Sequence, residues 1–122
     1  MTHLALFFAA LADPTRLRLL HLMKDGEICV CFLQGVLQAN QPKISRHLAY
    51  LRRAGLVEAR REGKWMYYRL KKQESDLRQI LDLALRRAGR EAEVRQDMKR
   101  LAEICCCPAN FGVAVPKGRK AS

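Results

Sequence analysis

Residues 3–12 are apolar on every side apart from His3. A helix without a polar face is buried on several sides, and in a small domain a second subunit supplies part of that cover. Thr2 is placed to cap it. Asp13-Pro14 restarts the chain, with Asp as N-cap and Pro at the first helical position. Leu17, Leu20 and Met23 or Lys24 then follow helical spacing, Leu19 and Leu22 widen the stripe, and Asp25-Gly26 ends it. Glu27 to Val30 reads as a short apolar link. Residues 31–37 predict a third helix with Leu33, Val36 and Leu37 inward, and Gln38-Ala39-Asn40 makes a turn. Pro42 opens a fourth helix that buries Ile44, His47 or Leu48, and Leu51. Its polar face carries Gln41, Lys43, Ser45, Arg46 and Arg53, and Gly55 closes it.

Residues 57–61 and 65–70 alternate as strands do, around the short turn Glu62-Gly63-Lys64. Met66, Tyr68 and Leu70 share one face of this hairpin, and Trp65, Tyr67 and Arg69 the other. Helical spacing returns at Glu74, with Leu77, Ile80, Leu81, Ala84, Leu85 and Ala88 in one stripe. Gly89 interrupts it, Val94, Met98, Leu101 and Cys105 continue it, and Pro108 stops it. The order predicts a mainly α fold with a β-hairpin wing, a winged helix-turn-helix, and the apolar first helix adds the expectation of a second subunit. Residues 1–107 make one DNA-binding and dimerisation domain, and residues 108–122 a flexible basic tail.

A chain of 122 residues with 49% hydrophobic composition is expected to be one small globular domain. No apolar run is long enough to cross a bilayer. No basic region precedes residues 4–12 and no cleavage pattern follows them, so we expect no signal peptide, no membrane partner and a cytoplasmic protein. The formal net charge is +11, and residues 43–72 hold ten Lys or Arg against two acidic residues. A basic block confined to one folded segment points to a polyanion, here double-stranded DNA. In a winged helix the second helix of the pair enters the major groove, which assigns Gln41, Lys43, Ser45 and Arg46 to base and phosphate contacts. The wing places Arg60, Arg61, Lys64 and Arg69 against phosphates or the minor groove. No Ser/His/Asp set, Gly-rich phosphate loop or carboxylate pair stands out, so an enzyme is not expected.

Five cysteines fall in two groups, Cys29 with Cys31, and Cys105, Cys106 and Cys107. Neither spacing resembles a secreted disulfide framework, and free thiols in a reducing compartment are expected. Thiolates take soft ions such as arsenic(III), antimony(III) or cadmium. Residues i and i+2 on an ideal helix point roughly 200° apart, so Cys29 and Cys31 share one ion only where the backbone is not helical. Ligand capture is therefore expected to fix or distort the start of the third helix.

The segments LADPTRLRLLHLM, EICVCFL, QPKISRHLAYLRRAGLV and REGKWMYYRL resemble the ArsR family of bacterial metalloregulatory repressors, and within it the arsenic(III)-responsive type. The resemblance covers residues 4–72. It implies a homodimer built through the first and last helices, which binds operator DNA when metal-free and leaves it when the inducer binds. It also implies that Cys29 and Cys31 are inducer ligands. Relatives often carry a third cysteine three residues after the second, where this chain has Gln34. A third thiolate then has to come from Cys105, Cys106 or Cys107. Otherwise the Cys29/Cys31 pair takes a two-coordinate species such as a monomethylated arsenical, and the cysteine triplet forms its own site or none. The three histidines, His3, His21 and His47, all lie outside the last helices, which argues against the zinc or nickel sites some relatives build there. No resident cofactor is expected, only a trivalent arsenic or antimony species as inducer. The alternative is a thiol redox or persulfide sensor of the same fold, in which Cys29 or Cys31 pairs with the C-terminal cysteines.

Overall fold

The computed structural model describes residues 1–106, with side chains described through Ile104. Helix α1 (Thr2–Leu11) is followed by α2 (Pro14–Leu22), a two-residue strand β1 (Ile28–Cys29), and α3 (Val30–Leu37). Helix α4 (Gln41–Arg53) leads into a hairpin of β2 (Val57–Glu62) and β3 (Trp65–Leu70), and then α5 (Ser75–Ala88) and α6 (Ala92–Cys106) close the chain.

Local chemistry explains most boundaries. The Asp13 carboxylate accepts from the Arg16 backbone N–H at 3.0 Å and opens α2. Asn40 does the same for α4 through Lys43 N–H at 2.9 Å. Gly55 sits at φ +78 just after α4, and the Leu56 N–H reaches back to the Leu51 carbonyl at 3.0 Å, a closure that a left-handed residue makes possible. Thr2 does not cap α1. The helix already includes it, and Met1 takes the cap position without a side-chain bond. The far end of α1 is instead closed from outside, by Arg16, which donates to the carbonyls of Ala9 and Ala10 at 3.0 and 3.1 Å.

One core joins all the elements. Phe7, Leu19, Leu20, Phe32, Leu33, Val36, Ile44, Leu48 and Leu51 have no exposed surface. Each such side chain contributes about 1.5–3 kcal/mol by leaving water. On α4 the inward position is Leu48. His47 lies beside it, half-buried, with Nδ1 3.3 Å from an Arg16 guanidinium nitrogen and 3.8 Å from the Asp13 carboxylate. The C-terminal helix is fastened by polar contacts as well as apolar ones. Arg18 pairs with the buried Asp97, and Arg100 donates to the Val36 carbonyl at 3.1 Å, joining α6 to α2 and to the end of α3.

The sheet has three strands in the order β1-β3-β2, all antiparallel. The segment expected to be a link is thus partly a strand. Ile28 pairs with Tyr68 and Cys29 with Tyr67. The hairpin turns tightly, with Glu62 opposite Trp65 and Gly63 at φ +62, a conformation that favours glycine.

Candidate functional site

Two surfaces carry the chemistry foreseen from the sequence. The first is the outer face of α4 with the tip of the wing. Gln41, Lys43 and Arg46 are exposed, and Ser45 is half-exposed. The Gln41 side-chain amide donates to the Ser45 hydroxyl at 2.7 Å, which presents the two as one polar unit. Ile44, Leu48 and Leu51 anchor the opposite side of the helix, so the basic face has to point outward. At the wing tip Arg61 and Lys64 are exposed, and the Lys64 ammonium sits 5.2 Å from the centroid of the Trp65 ring. Lys43, Arg46, Arg61 and Lys64 together present a cationic surface suited to phosphate.

Arg60 and Arg69 sit differently. Arg60 donates to Glu27 at 2.6 and 3.0 Å and to Glu62 at 2.6 Å, with its guanidinium 4.7 Å from the Tyr67 ring centroid. The Arg60 bond holds the Glu27 carboxyl below its usual range. Arg69 pairs with Glu58 at 2.7 Å. Both arginines line a groove of about 820 Å³ between α2, the wing and α5, together with Glu27 and Glu58, two of the three carboxylates they bind. Both are paired with carboxylates while their side chains stay 40% and 59% exposed. Cross-strand register decides this, and register depends on a turn type that charge counts do not disclose.

The second surface is the thiol pair. Cys29 ends β1 with extended backbone (φ −70, ψ 141) and is also the N-cap of α3, while Cys31 lies in the first turn. That break in helical geometry is the condition the spacing required. The two sulfurs are 2.8 Å apart, with the Cys31 thiol donating to Cys29. They meet without any interruption of α3, so gathering them needs no distortion of the helix. The donated bond brings Cys29 down to about 7, burial opposes it, and the backbone N–H groups of Cys31 and Phe32 assist. The same bond, with burial, raises Cys31. The contact thus favours ionisation at Cys29, which is 2% exposed where Cys31 is partly open.

Among the described residues no third His, Cys, Asp or Glu joins the pair. Gln34 is half-buried one turn further along α3. Cys105 and Cys106 end α6, but their side chains, like all of Cys107 and the basic tail, lie outside the described residues. The pair fits a thiophilic centre that needs two sulfurs from this segment.

Sequence reasoning missed Tyr67 and Glu27, the neighbours of this pair. Tyr67 is 5% exposed and lies opposite Cys29 on one side and Arg60 on the other. Ile28 beside Cys29 was the available signal, but two residues are too few for strand alternation to register.

Known proteins bear on the family and the fold. Residues 13–59 match the model of the bacterial regulatory protein, arsR family. The chain is 44% identical over 100 residues to the arsenic resistance transcriptional regulator ArsR1 of Pseudomonas putida, covering 80% of this chain and 76% of that one. It is 55% identical over 64 residues to the arsenical resistance operon repressor of Escherichia coli, covering 52% of this chain and 55% of the relative. Among solved structures it resembles the homodimeric winged helix-turn-helix DNA-binding domain of a possible ArsR-family regulator from Mycobacterium bovis. The TM-score there is 0.61 at 34% identity, over 71% of this chain and 79% of that one. Family, fold and the outward basic face of α4 agree: the chain belongs to the ArsR family, as a winged-helix DNA-binding transcription regulator and not an enzyme.

Proposed function

We propose that this protein is a homodimeric repressor that leaves its operator when a trivalent arsenic or antimony species binds Cys29 and Cys31. The observation that carries the reading is the 2.8 Å approach of the two sulfurs at the start of α3, the helix directly before α4. Soft trivalent centres bond thiolate in preference to oxygen or nitrogen, and one sulfur of the pair already gives up its proton near neutrality. The names of the Pseudomonas and Escherichia coli relatives support arsenic as the inducing element.

In the DNA-bound state Gln41, Lys43, Ser45 and Arg46 meet the major groove. Arg61 and Lys64 meet phosphate or the minor groove. Apolar surface on α1 and α5, where Phe8 is 47% and Leu83 60% exposed, supports a second copy as the cover. With Gln34 in place of a third thiolate, a monoalkyl arsenical is satisfied by two sulfurs, whereas arsenite needs a third from Cys105, Cys106 or Cys107.

Release of fluorescent operator DNA, followed by anisotropy, tests the reading. Cys29→Ser or Cys31→Ser gives a protein that binds operator and ignores every arsenical. Replacing Cys105, Cys106 and Cys107 together with Ser abolishes release by arsenite and keeps release by methylarsenite. Release from a Cys29→Ser/Cys31→Ser double variant would place the sensor at the C-terminal cysteines and sink the proposal.

The same sulfur contact favours a second reading, a redox or persulfide sensor. Two adjacent thiols, one with its pKa lowered by the other, are chemically suited to oxidation. Anaerobic titration with arsenite against peroxide or persulfide separates the two.

A further inference from the structure

Cys29, Tyr67 and Arg60 lie side by side across the three strands. Cys29 is the register partner of Tyr67, and Tyr67 that of Arg60. Register partners in antiparallel strands share one face of the sheet. Arg60 covers the outer side of the Tyr67 ring and ties Glu27, two residues before Cys29, to Glu62 at the end of β2. The row therefore runs without a gap from the thiol pair to the wing tip.

We propose that Tyr67 and Arg60 are positioning residues that carry occupancy of the Cys29–Cys31 pair to the wing. The proposal rests on the reading that this pair takes a thiophilic ligand. A trivalent arsenic bonded to both sulfurs sits at the apex of a bent S–As–S unit, which holds them farther apart than their present 2.8 Å, so occupancy widens the pair. Cys31 belongs to a helix whose next two residues, Phe32 and Leu33, are wholly buried. Cys29 ends the two-residue strand β1, which among the described residues pairs with β3, so movement on its side is carried into that pairing. Its displacement presses on Tyr67. Arg60 stands behind that ring and cannot follow without loosening Glu27 or Glu62.

The connection to α4 is longer. The turn at Gln38–Asn40 leaves the opposite end of α3, about 12 Å along the axis for its eight residues. The wing is the nearer element, and in it Arg61 and Lys64 follow directly on Arg60 and Glu62.

The test is hydrogen exchange on the DNA-free full-length chain carrying Cys105, Cys106 and Cys107 as serine. Phenylarsenoxide is the probe, since it needs only two thiols. In that chain, one equivalent of probe speeds exchange of the 57–70 amides at least threefold. Arg60→Gln and Tyr67→Leu still take up the probe, seen as two blocked thiols and one added mass, but lose the wing response. Tyr67→Phe keeps it, because the ring and not the phenol is used. On operator DNA, Arg60→Gln lowers the probe-induced loss of affinity at least tenfold relative to the Arg60 chain. An undiminished wing response in Arg60→Gln overturns the proposal, as does a silent wing with the probe bound. Arg60 is partly exposed, so this variant carries the test even where Tyr67→Leu fails to fold. Failure of the probe to block Cys29 and Cys31 is seen before any exchange is measured. It strikes the ligand reading itself, and this inference falls with it.

Discussion

Arg18 and Asp97, 79 residues apart, meet through two parallel hydrogen bonds of 2.8 Å. Asp97 is 1% exposed, so its carboxylate depends on this fork to offset the loss of water. The bond from Asp97 raises the Arg18 guanidinium further above its ordinary range. Asp97→Ala leaves Arg18 facing an apolar gap between α2 and α6. We expect it to cost about 3 kcal/mol, the lower end for a broken buried pair because Arg18 keeps some contact with water. Urea unfolding read by circular dichroism measures it, and a loss below about 1 kcal/mol would contradict the role given to the pair.

The reading surface makes separable predictions. Arg46→Ala costs about 1–3 kcal/mol in operator affinity and relaxes preference at one base if Arg46 reads a guanine. Lys64→Ala weakens binding to all sequences alike and makes the salt dependence shallower by about one charge. Anisotropy titrations across a salt series and a panel of single-base operator variants distinguish them. Unchanged affinity in both, and in Lys43→Ala, would remove α4 and the wing tip as the DNA face.

The buried His21 gives the fold an acid sensitivity. Among the described residues its Nδ1 has no hydrogen-bond partner, and a Cβ at Gly89 would stand 3.2 Å from Nε2. Burial lowers His21 from 6.5, Lys24 adds to the shift, and Asp25 and Asp97 oppose it. Below 6.5 the unfolded chain takes up a proton that the folded chain refuses, so stability falls as pH drops through that window, by at most about 1.4 kcal/mol per pH unit for one group. His47 is lowered by burial as well and contributes with the same sign. His21→Leu flattens the slope between pH 6.5 and the lowered folded value, leaving the part due to His47. Thermal melts at stepped pH check this, and an unchanged slope would refute it.

Association should follow the apolar surface of α1 and α5. Phe8→Glu or Leu83→Lys shifts the dimer toward monomer and weakens operator binding by about tenfold or more, since two half-sites no longer act together. Light scattering at micromolar concentration with operator titration provides the check. A parent protein that is monomeric there would refute the homodimer.

What was legible in the sequence had a period. Ile44, Leu48 and Leu51 mark α4 because helical spacing repeats over thirteen residues, and the caps at Asp13 and Asn40 are local chemistry. The hairpin was legible from its alternation and its glycine. The thiol pair was legible as a condition, that the backbone between Cys29 and Cys31 depart from a helix, and the strand that meets it was not. Ile28–Cys29 is too short to alternate, and only its pairing with β3 makes it a strand. Asp97 looked like one more polar position on an amphipathic helix, because its burial depends on an arginine from a distant element. The pairing of Arg60 with Glu27 was out of reach for the same reason: the two are 33 residues apart in the chain.

Arg16 grips the carbonyls that end α1, stacks 4.0 Å from the Tyr50 ring of α4, and touches His47 one turn before it. A single side chain thereby fixes the helix proposed to meet the second copy to the helix proposed to read DNA. In a dimer this makes the protein a ruler. The separation of the two reading helices is set inside each protomer and has little freedom to stretch. Inserting one base pair between operator half-sites moves the second by about 3.4 Å and turns it about the duplex axis, and a stiff ruler misses it. Arg16→Ala trades that stiffness for tolerance, accepting altered spacings that the native protein rejects.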